Sequence, residues 1–344
     1  MKRPSVADLA EAAGVSVSTV NRLLHGSAKV RSDTVERITR AAEQIGFYGL
    51  GALRMREDES RPRYRLGFLL QQSTREIYQQ FGQGISTAAR QWNDARIEAI
   101  IRFVDQLTPE AISAELMQLG EECDAVAVVC ADHPQISQTI NALHERKVPV
   151  IAYITDLSAP SRAGYVGTDN WKLGRTAAYF IANMVRRPGK IATFIGNHRY
   201  QCQDFSDASF RPYIREHADA ITVLDPFLTN EDSDVAYRLV VDLLSNEPDL
   251  IGLYVIGGGI SGVLRAIRES PPNRQREIRI VCRDVGSEAR KGLNEGLITA
   301  ALYHPLGQIS QELISTMIEA LGQKGQSSMI QRIVPFQIIT PENI

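Results

Sequence analysis

The chain has 344 residues and a formal net charge of -2, and its charges are unevenly divided. Residues 1–65 carry 12 Lys and Arg against 8 Asp and Glu, or +4, which leaves 26 against 32, or -6, for the remainder. No run approaches the roughly 18 apolar residues of a membrane span, and the four cysteines form no CxxC pair. These features exclude a membrane protein and a disulfide or zinc scaffold, and they predict a soluble cytoplasmic chain of several domains with a nucleic-acid-binding head.

Three short amphipathic helices are predicted in the first 46 residues. Each has apolar residues on one face at helical spacing, a capping residue before it and a glycine after it. The first helix has Ser5 as its cap, with Asp8 as a capping-box partner, an apolar face of Val6, Leu9, Ala10 and Ala13, and Gly14 after it. The second has Ser16 as its cap, an apolar face of Val20, Leu23 and Leu24, and Gly26 after it. The third has Ser32 as its cap, an apolar face of Val35, Ile38, Ala42 and Ile45, and Gly46 after it. The spacing predicts three helices around one small core.

The second of these helices has the features of a DNA recognition helix. Only a tight turn at Gly14 separates it from the first helix, as in a helix-turn-helix, and its exposed Arg22 can fork to guanine O6 and N7. Short polar groups nearby are suited to phosphate oxygens, namely Ser5, Ser16, Thr19, Asn21, His25, Ser32 and Thr34. An ordinary three-helix bundle would show the same periodicity.

Residues 10–26 follow the pattern AxxAGVSxxTVxRxLxG, and residues 5–47 as a whole resemble the DNA-binding headpiece of the lactose-repressor family. The resemblance implies that bases are read by Val17, Ser18 and Arg22. Val17 can make only apolar contacts, for example to a thymine methyl group. We therefore expect an all-α helix-turn-helix headpiece over residues 1–48.

The next stretch departs from the family pattern. The family continues with Tyr-x-Pro-Asn and a hinge helix whose leucine wedges into the minor groove, whereas residues 47–56 read FYGLGALRMR. Leu53 or Met55 are the candidates for the wedge, although two glycines weaken a helix here. Residues 49–64 are predicted to be a hinge and linker, with the charged stretch from residue 57 to 65, which contains Pro62, interpreted as the linker.

From residue 65 onward, short apolar strands alternate with amphipathic helices, which predicts parallel sheets. Ten strands fit two lobes better than one sheet, and they are centred on 66–70, 97–101, 125–129, 148–154, 164–168, 191–195, 221–225, 251–256, 278–282 and 298–303. The last residues, RIVPFQIITPENI, are interpreted as one strand and a short tail.

This body resembles the sensor of the same family, which is similar to the type 1 periplasmic sugar-binding proteins. Residues 165–181, 255–267 and 282–305 carry the resemblance. It implies an α/β, two-lobed ligand-binding and dimerisation domain over residues 65–344, with a first lobe of 65–164 and 292–325 and a second lobe of 165–291 and 326–344.

In such sheets a ligand lies beyond the carboxyl ends of the strands, where polar and aromatic side chains follow most strands here. Asp284 is the leading candidate because it matches the ligand-facing aspartate of the family. The other effector-binding candidates are Ser73, Arg75, Tyr78, Phe81, Asp132, Asp156, His198, Ser206, Arg283, Tyr303 and His304. For each of them the alternative is a solvated loop side chain.

Two departures bear on the ligand. Ser206 stands where the family pattern has an arginine that holds sugar hydroxyls, and Gly257, Gly258 and Gly259 replace an Asn-Asp pair. We expect a sugar, polyol or sugar-acid-like effector that is larger than an ordinary sugar or held by other groups.

No catalytic constellation and no metal-ligand spacing is visible, so the chain is predicted not to be an enzyme and to need no cofactor. Residues 257–262 satisfy GxGxxG, which leaves an NAD-dependent enzyme as one alternative, and a solute-binding protein without regulatory role is another. The favoured function is a homodimeric repressor that binds operator DNA and is controlled allosterically by a small metabolite.

Overall fold

A computed structural model describes residues 3–27, 30–283, 285–323 and 328–344, without the side chain of residue 32. The chain divides into two compact units, which we call the head (residues 1–64 with 90–98) and the sensor (65–89 with 99–344). Among the described residues, no helix combines the length and apolar character needed to span a membrane.

The described residues of the head form four helices, of which the sequence predicted three. Ser5 and Asp8 form the reciprocal capping box at the first helix, and Ser16 caps the second. The third helix begins one residue earlier than expected, with Arg31 rather than Ser32 at the cap position. The helices are α1 (Val6–Ala13), α2 (Val17–His25), α3 (Ser32–Ile45) and α4 (Leu50–Ser60).

Helix α4 occupies the stretch that was expected to be hinge and linker. Its residue Leu53 is fully buried in the same apolar cluster as Leu9, Val20 and Ile38. Tertiary packing thus overrides the low helix propensity of the two nearby glycines. The expectation of a linker from residue 57 onward is wrong, because the helix continues to Ser60.

The sensor contains two sheets, which confirms the two-lobed fold with parallel sheets. The first has the strand order β12-β5-β4-β3-β1-β2, and the second has the order β13-β11-β10-β9-β6-β7 with β8 paired to β6. The strands are β1 (Arg63–Gln71), β2 (Arg96–Val104), β3 (Ala125–Val128), β4 (Val150–Tyr153), β5 (Gly164–Thr168), β6 (Gly189–Ile195), β7 (Ile221–Val223), β8 (Phe227–Leu228), β9 (Leu250–Val255), β10 (Arg279–Arg283), β11 (Ile298–Tyr303), β12 (Ile330–Val334) and β13 (Gln337–Ile339).

Amphipathic helices cover these sheets and bury near-continuous apolar strands, as expected for parallel sheets. Helix α14 packs on β3, β4, β5 and β12 of the first sheet, whereas α8 packs on β10 and β11 of the second. The helices are α5 (Glu76–Gln91), α6 (Pro109–Glu122), α7 (Pro134–Glu145), α8 (Asn170–Met184), α9 (Gln201–His217), α10 (Ser233–Asn246), α11 (Ile260–Glu269), α12 (Pro272–Glu277), α13 (Ser287–Asn294) and α14 (Leu306–Gly322).

The expected lobe boundaries need correction. Strand β5 extends the first sheet to Thr168, although residues 165–168 were assigned to the second lobe. Strand β11 lies in the second sheet, although residues 292–325 were assigned to the first lobe. The C-terminal segment forms two strands rather than one, because β12 pairs with β5 and β13 pairs antiparallel with β11.

Candidate nucleic-acid and effector sites

The exposed side of α2 carries the three side chains predicted to read bases. Val17 is 44% exposed, and Ser18 and Arg22 are also exposed. The Arg22 guanidinium donates to the Ser18 carbonyl and to Thr19 Oγ1, both at 3.3 Å, so the helix itself orients it without burying it. An arginine in this state retains free donors for a base edge.

The residues predicted to contact phosphates differ in their exposure and in whether their side chains are already hydrogen-bonded. Ser5 and Ser16 are exposed, but their hydroxyls already accept from Asp8 N–H and Thr19 N–H at the helix starts. Asn21 and His25 are exposed on α2, and Thr34 is half-buried in α3. The side chain of Ser32 lies outside the described part of the structure.

The two candidates for a minor-groove wedge differ sharply. Leu53 is fully buried within the head, so its proposed role as a wedge is wrong for this arrangement. Met55, on the same helix, is 62% exposed.

The sensor contains a cavity of about 510 Å³ lined by loops that follow strands of both sheets. Of the effector-binding candidates, Arg75, Tyr78, Phe81, Arg283 and His304 line it. Three of the five non-glycine residues with positive φ in the described chain also line it, namely Gln72, Ile154 and Glu231. Because such backbone strain concentrates at functional sites, this cavity is the candidate effector site.

Glu231 is the polar centre of the cavity and is only 8% exposed. Its Oε2 accepts from Arg75 Nη1 at 2.5 Å and from Gly258 N–H at 3.0 Å, and its Oε1 accepts from Gln203 Nε2 at 2.8 Å. Burial is the largest single effect and lowers the pKa of the Arg75 guanidinium, but the attraction and hydrogen bond to Glu231, together with attraction to Tyr78 and Tyr200, outweigh it, and the net pKa lies above its ordinary value. The pair therefore joins a cation that follows β1 of the first sheet to an anion that follows β8 of the second.

The glycines that replace the family's Asn-Asp pair make room for this ion pair. A Cβ atom at Gly258 would lie 2.4 Å from Glu231 Oε2 and 2.8 Å from Arg75 Nη2, and one at Gly257 would lie 2.6 Å from Gln203 Oε1. Gly257 and Gly258 therefore serve packing around a carboxylate of the chain itself. A dinucleotide phosphate would have to displace Glu231 from the Gly258 amide, which argues against the NAD-dependent alternative.

Further hydrogen bonds join the two lobes around the cavity. Gln71 Oε1 of the first lobe accepts from the hydroxyl of Tyr200 of the second lobe at 3.1 Å, and also from the hydroxyl of Tyr78 of its own lobe at 2.8 Å. Glu76, at the start of α5, accepts from the backbone N–H and the hydroxyl of Ser287, at 2.7 and 2.6 Å. The site is thus assembled from both lobes, and a ligand in it would bear on their closure.

Arg283 and His304 form a second polar cluster at the cavity wall. Arg283 is 8% exposed and donates to the Cys202 carbonyl at 3.3 Å, and its Nη2 lies 3.1 Å from Nε2 of His304. The His304 ring also packs edge-on against Phe81. These groups combine donors with aromatic faces, an arrangement that suits a polyhydroxylated solute.

Three effector-binding candidates do not line the cavity, and their side chains make hydrogen bonds or ion pairs with other groups of the chain. Ser73 donates to Asp105, and Asp156 pairs with Arg162 at 2.7 Å. Asp132 accepts from Ser158 N–H at 3.2 Å. These three positions are corrected to loop-stabilising residues.

The remaining candidates are corrected or not described. His198 is exposed and lies 2.9 Å from Asp204, and Ser206 is buried between α8 and α9, where it donates to the Asn170 carbonyl. Tyr303 does not line the cavity and packs against the core of the second sheet. Asp284, the leading candidate, lies outside the described residues.

Sequence reasoning missed Glu231 and Gln203. Glu231 follows a strand of only two residues, and Gln203 lies on the first turn of α9, so neither follows a recognisable strand. The available signal was the glycine run itself, since replacing two side chains by glycine implies that another group needs their space.

Glu76 makes the link between the lobes sensitive to acid. Hydrogen bonds from the Ser287 hydroxyl and backbone hold the pKa of Glu76 below its ordinary 4.5. A lowered pKa in the folded state contributes stability that is present above 4.5 and is lost as pH falls through the folded value. We expect the melting temperature of Glu76→Gln to fall less steeply below pH 4.5 than that of the unsubstituted chain.

Thermal melts of both chains between about pH 7 and about pH 3 test this expectation. Ser287→Ala, which removes the principal donor, is the matched control and should flatten the profile in the same direction. Identical acid slopes for all three chains would contradict the role given to Glu76.

Family models match both units of the chain. Residues 66–326 match the periplasmic binding protein domain, and residues 5–49 match the bacterial regulatory proteins of the lacI family. The ribitol operon repressor of Klebsiella aerogenes is 29% identical over 208 residues, which are 58% of this chain and 72% of that protein. The HTH-type transcriptional regulator IdnR of Escherichia coli K12 is 24% identical over 276 residues, 78% of this chain and 77% of that one.

Solved structures resemble the sensor. A solute-binding protein of an ABC transporter from Agrobacterium vitis, bound to α-D-tagatopyranose, superposes with a TM-score of 0.72 at 20% identity, covering 81% of this chain and 95% of that one. The glucose-galactose binding protein GanP from Geobacillus stearothermophilus gives 0.73 at 17% identity, covering 83% and 99%. These likenesses show the fold, and the family matches confirm the resemblance drawn from the motifs: the chain belongs to the proteins that carry a periplasmic binding protein domain, which forms its sensor, and its head matches the bacterial regulatory proteins of the lacI family.

Proposed function

We propose that the chain is a sequence-specific transcription repressor whose affinity for operator DNA is set by a small metabolite bound in the sensor cavity. One observation carries this function: the same chain holds a lacI-family head with exposed Val17, Ser18 and Arg22 and a polar cavity built from both lobes. Binding energy at such a cavity becomes a coupling free energy when the two lobe arrangements favour different DNA-binding states.

The chemistry of the cavity supports a sugar, polyol or sugar-acid-like effector. Tyr78, Phe81 and Tyr200 offer aromatic faces, and Arg75, Glu231 and Arg283 offer donors and acceptors for hydroxyl groups. The name of one relative refers to ribitol, and one structural neighbour holds tagatose. Arg75, Glu231, Arg283 and His304 are the side chains we assign to contact the effector, together with Tyr78 and Phe81.

Further parts of the proposal follow from the DNA-reading role. One head has a small base footprint, so useful specificity requires two copies of the chain on a near-palindromic operator. Bound dimers would block the polymerase by obstruction. The chain would act in the cytoplasm, where the DNA is, and by binding rather than by catalysis, since its relatives are regulators.

A solute-binding protein without regulatory role is the second candidate, because one structural neighbour is a solute-binding protein of an ABC transporter and another is a glucose-galactose binding protein. The head decides between the two. A protein that only carries solutes has no use for a helix-turn-helix with exposed base-reading side chains.

Selection from a random-sequence duplex library, followed by fluorescence anisotropy at physiological salt, tests the proposed function. We expect the full chain to bind a selected duplex at least about a thousandfold more tightly than a scrambled one. Equal affinity for both duplexes would contradict the regulator and favour the solute-binding candidate.

A further inference from the structure

The effector cavity carries an excess of negative charge. In the part of the sensor that the structure describes, and with His304 counted as neutral, two cations line it, Arg75 and Arg283, against five carboxylates. Two of the carboxylates are paired with arginines that do not line the cavity, and the remaining three still outnumber the cations. The five are Glu76, Glu231, Asp232, Asp234 and Glu288.

We propose that Glu231 is the charge-selecting residue of this cavity: it holds the Arg75 guanidinium in an ion pair, so that the site accepts an uncharged polyhydroxylated effector and rejects the carboxylate and phosphate analogues of the same compound. The inference rests on the proposed function, because it narrows the effector class given there to uncharged sugars and polyols.

The carboxylate of Glu231 is held in a space built for it. A Cβ atom at Gly196 or Gly258 would overlap its oxygens, and one at Gly257 would lie 3.0 Å from Oε1. The backbone of Glu231 has a positive φ of 60°, and its N–H donates to Thr229 Oγ1 at 3.3 Å. Because a side chain larger than glycine adopts this backbone conformation at a cost, the loop is shaped to deliver this carboxylate to the cavity.

The ion pair both neutralises Arg75 and uses part of its donor set. Nη1 donates to Glu231 Oε2 at 2.5 Å and to Gln72 Oε1 at 3.0 Å, so both of its hydrogens are engaged. The Nε and Nη2 groups remain as donors for ligand oxygens. An anion bound to them would share one cation with Glu231, at a separation of roughly 6 Å or less, over which like charges disfavour each other. A hydroxyl group can accept the same hydrogen bonds without this repulsion.

Arg283 does not offer a second site for an anionic group. It is 8% exposed, and its Nη1 and Nη2 lie 3.3 Å from the Cys202 carbonyl and 3.1 Å from His304 Nε2. A bidentate contact with a carboxylate or phosphate would have to displace one of these neutral acceptors.

Two further carboxylates of the cavity wall add to the repulsion. Hydrogen bonds from Ser287 hold the pKa of Glu76 below its ordinary value, and hydrogen bonds from the backbone N–H groups of Val235 and Asp234 do the same for the pKa of Asp232. Both groups are therefore ionised at neutral pH. Selectivity of this kind comes from an unfavourable pairing with the rejected compound as much as from contacts with the accepted one.

Inorganic phosphate is the first probe, because it reports on the Arg75 cation whatever the natural effector is. Thermal melts of the full chain are compared with and without about 10 mM phosphate at matched ionic strength. We expect phosphate to raise the melting temperature of Glu231→Gln by at least about 2 °C more than that of the unsubstituted chain, because the substitution frees a cation for the anion. Adding Arg75→Gln to Glu231→Gln should abolish this gain.

Asp234→Asn is the matched control. It removes one negative charge from the same cavity wall, but the partner of Asp234 is Arg265, which does not line the cavity. Its response to phosphate should equal that of the unsubstituted chain.

Matched compounds then test the effector class by isothermal titration. Ribitol, ribonate and ribitol 5-phosphate form one set, and tagatose, tagaturonate and tagatose 6-phosphate form another. We expect the uncharged member of a set to bind the unsubstituted chain at least about tenfold more tightly than either anion, and Glu231→Gln to reduce this ratio to less than about threefold.

Two results would overturn the inference and leave the regulator intact. One is an acid or phosphate that binds the unsubstituted chain as tightly as its uncharged partner. The other is an equal phosphate response of Glu231→Gln and Asp234→Asn. If no compound of either charge binds, the proposed effector class fails, and the phosphate melts still decide the role of Glu231. Failure of the chain to prefer any DNA duplex would contradict the regulator without affecting either comparison.

Discussion

Glu231→Ala is expected to lower the free energy of unfolding of the sensor by about 2 to 3 kcal/mol. The substitution leaves the Arg75 cation, the Gly258 amide and the Gln203 amide group without the acceptor that all three share. Removing one partner of a fully buried pair costs about 3 to 5 kcal/mol, and the 28% exposure of the Arg75 side chain reduces this figure. Urea denaturation of the full chain, followed by circular dichroism, measures the change.

Two matched variants separate the charge from the hydrogen bonds. Glu231→Gln keeps an acceptor for the Gly258 N–H but removes the charge, so it should lose about half as much stability. Glu216→Ala breaks the exposed pair with Arg175 and should cost much less stability than Glu231→Ala, because solvent screens an exposed ion pair. If Glu231→Ala lowers the free energy of unfolding no more than Glu216→Ala does, the ion pair between Arg75 and Glu231 does not hold the lobes together.

Arg22→Ala is expected to weaken binding to the selected operator by about 1 to 3 kcal/mol and to change binding to scrambled DNA little. The exposed guanidinium is held by Ser18 and Thr19 on the outer side of α2, so its removal costs base contacts without disturbing the head core. Anisotropy titrations on both duplexes, each at two salt concentrations, measure the difference.

Arg40→Ala is the control of equal charge. Arg40 is an exposed arginine of α3 that pairs with Glu36 of the same helix. Its loss should weaken operator and scrambled DNA alike, if it weakens either. Equal losses on both duplexes for Arg22→Ala would contradict its role as a base reader.

The elements that the sequence predicts well are those whose signal is local. Ser5, Ser16 and Gly26 mark helix ends whatever the rest of the chain does, because they satisfy backbone groups directly. All ten predicted strands occur, and most of them are apolar runs buried on both faces, a pattern that can be recognised without the rest of the chain. Strand β8 is too short, at two residues, to leave such a signal.

The sequence predicts only part of the candidate effector site, because only some of its residues have a local signal. Arg75 and Tyr78 follow β1 directly, and the rule that ligands lie beyond strand ends places them in the cavity. The same rule fails for Asp156, because Arg162 and the Leu157 N–H engage its carboxylate locally. Glu231 fits in the cavity because Gly257 and Gly258, which are distant in sequence, leave space for it, and this proximity is set by the tertiary structure.

The hinge shows how packing decides where propensity does not. Gly49 and Gly51 lower the helix propensity of this stretch, yet the helix forms because Leu53 completes the head core. Leu53 and Met55 are both apolar residues of one helix, and only the positions of the other three helices determine which is buried.

The central claim is that one chain couples a metabolite site to a DNA site, and the most direct test is reciprocal linkage. Operator affinity is measured by anisotropy across a panel of sugars, polyols and sugar acids, and the affinity for the active compound is then measured with and without operator. We predict that one compound changes operator affinity by about 5- to 150-fold and that operator changes the affinity for that compound by the same factor. A compound that binds the cavity while leaving operator affinity unchanged would contradict the account.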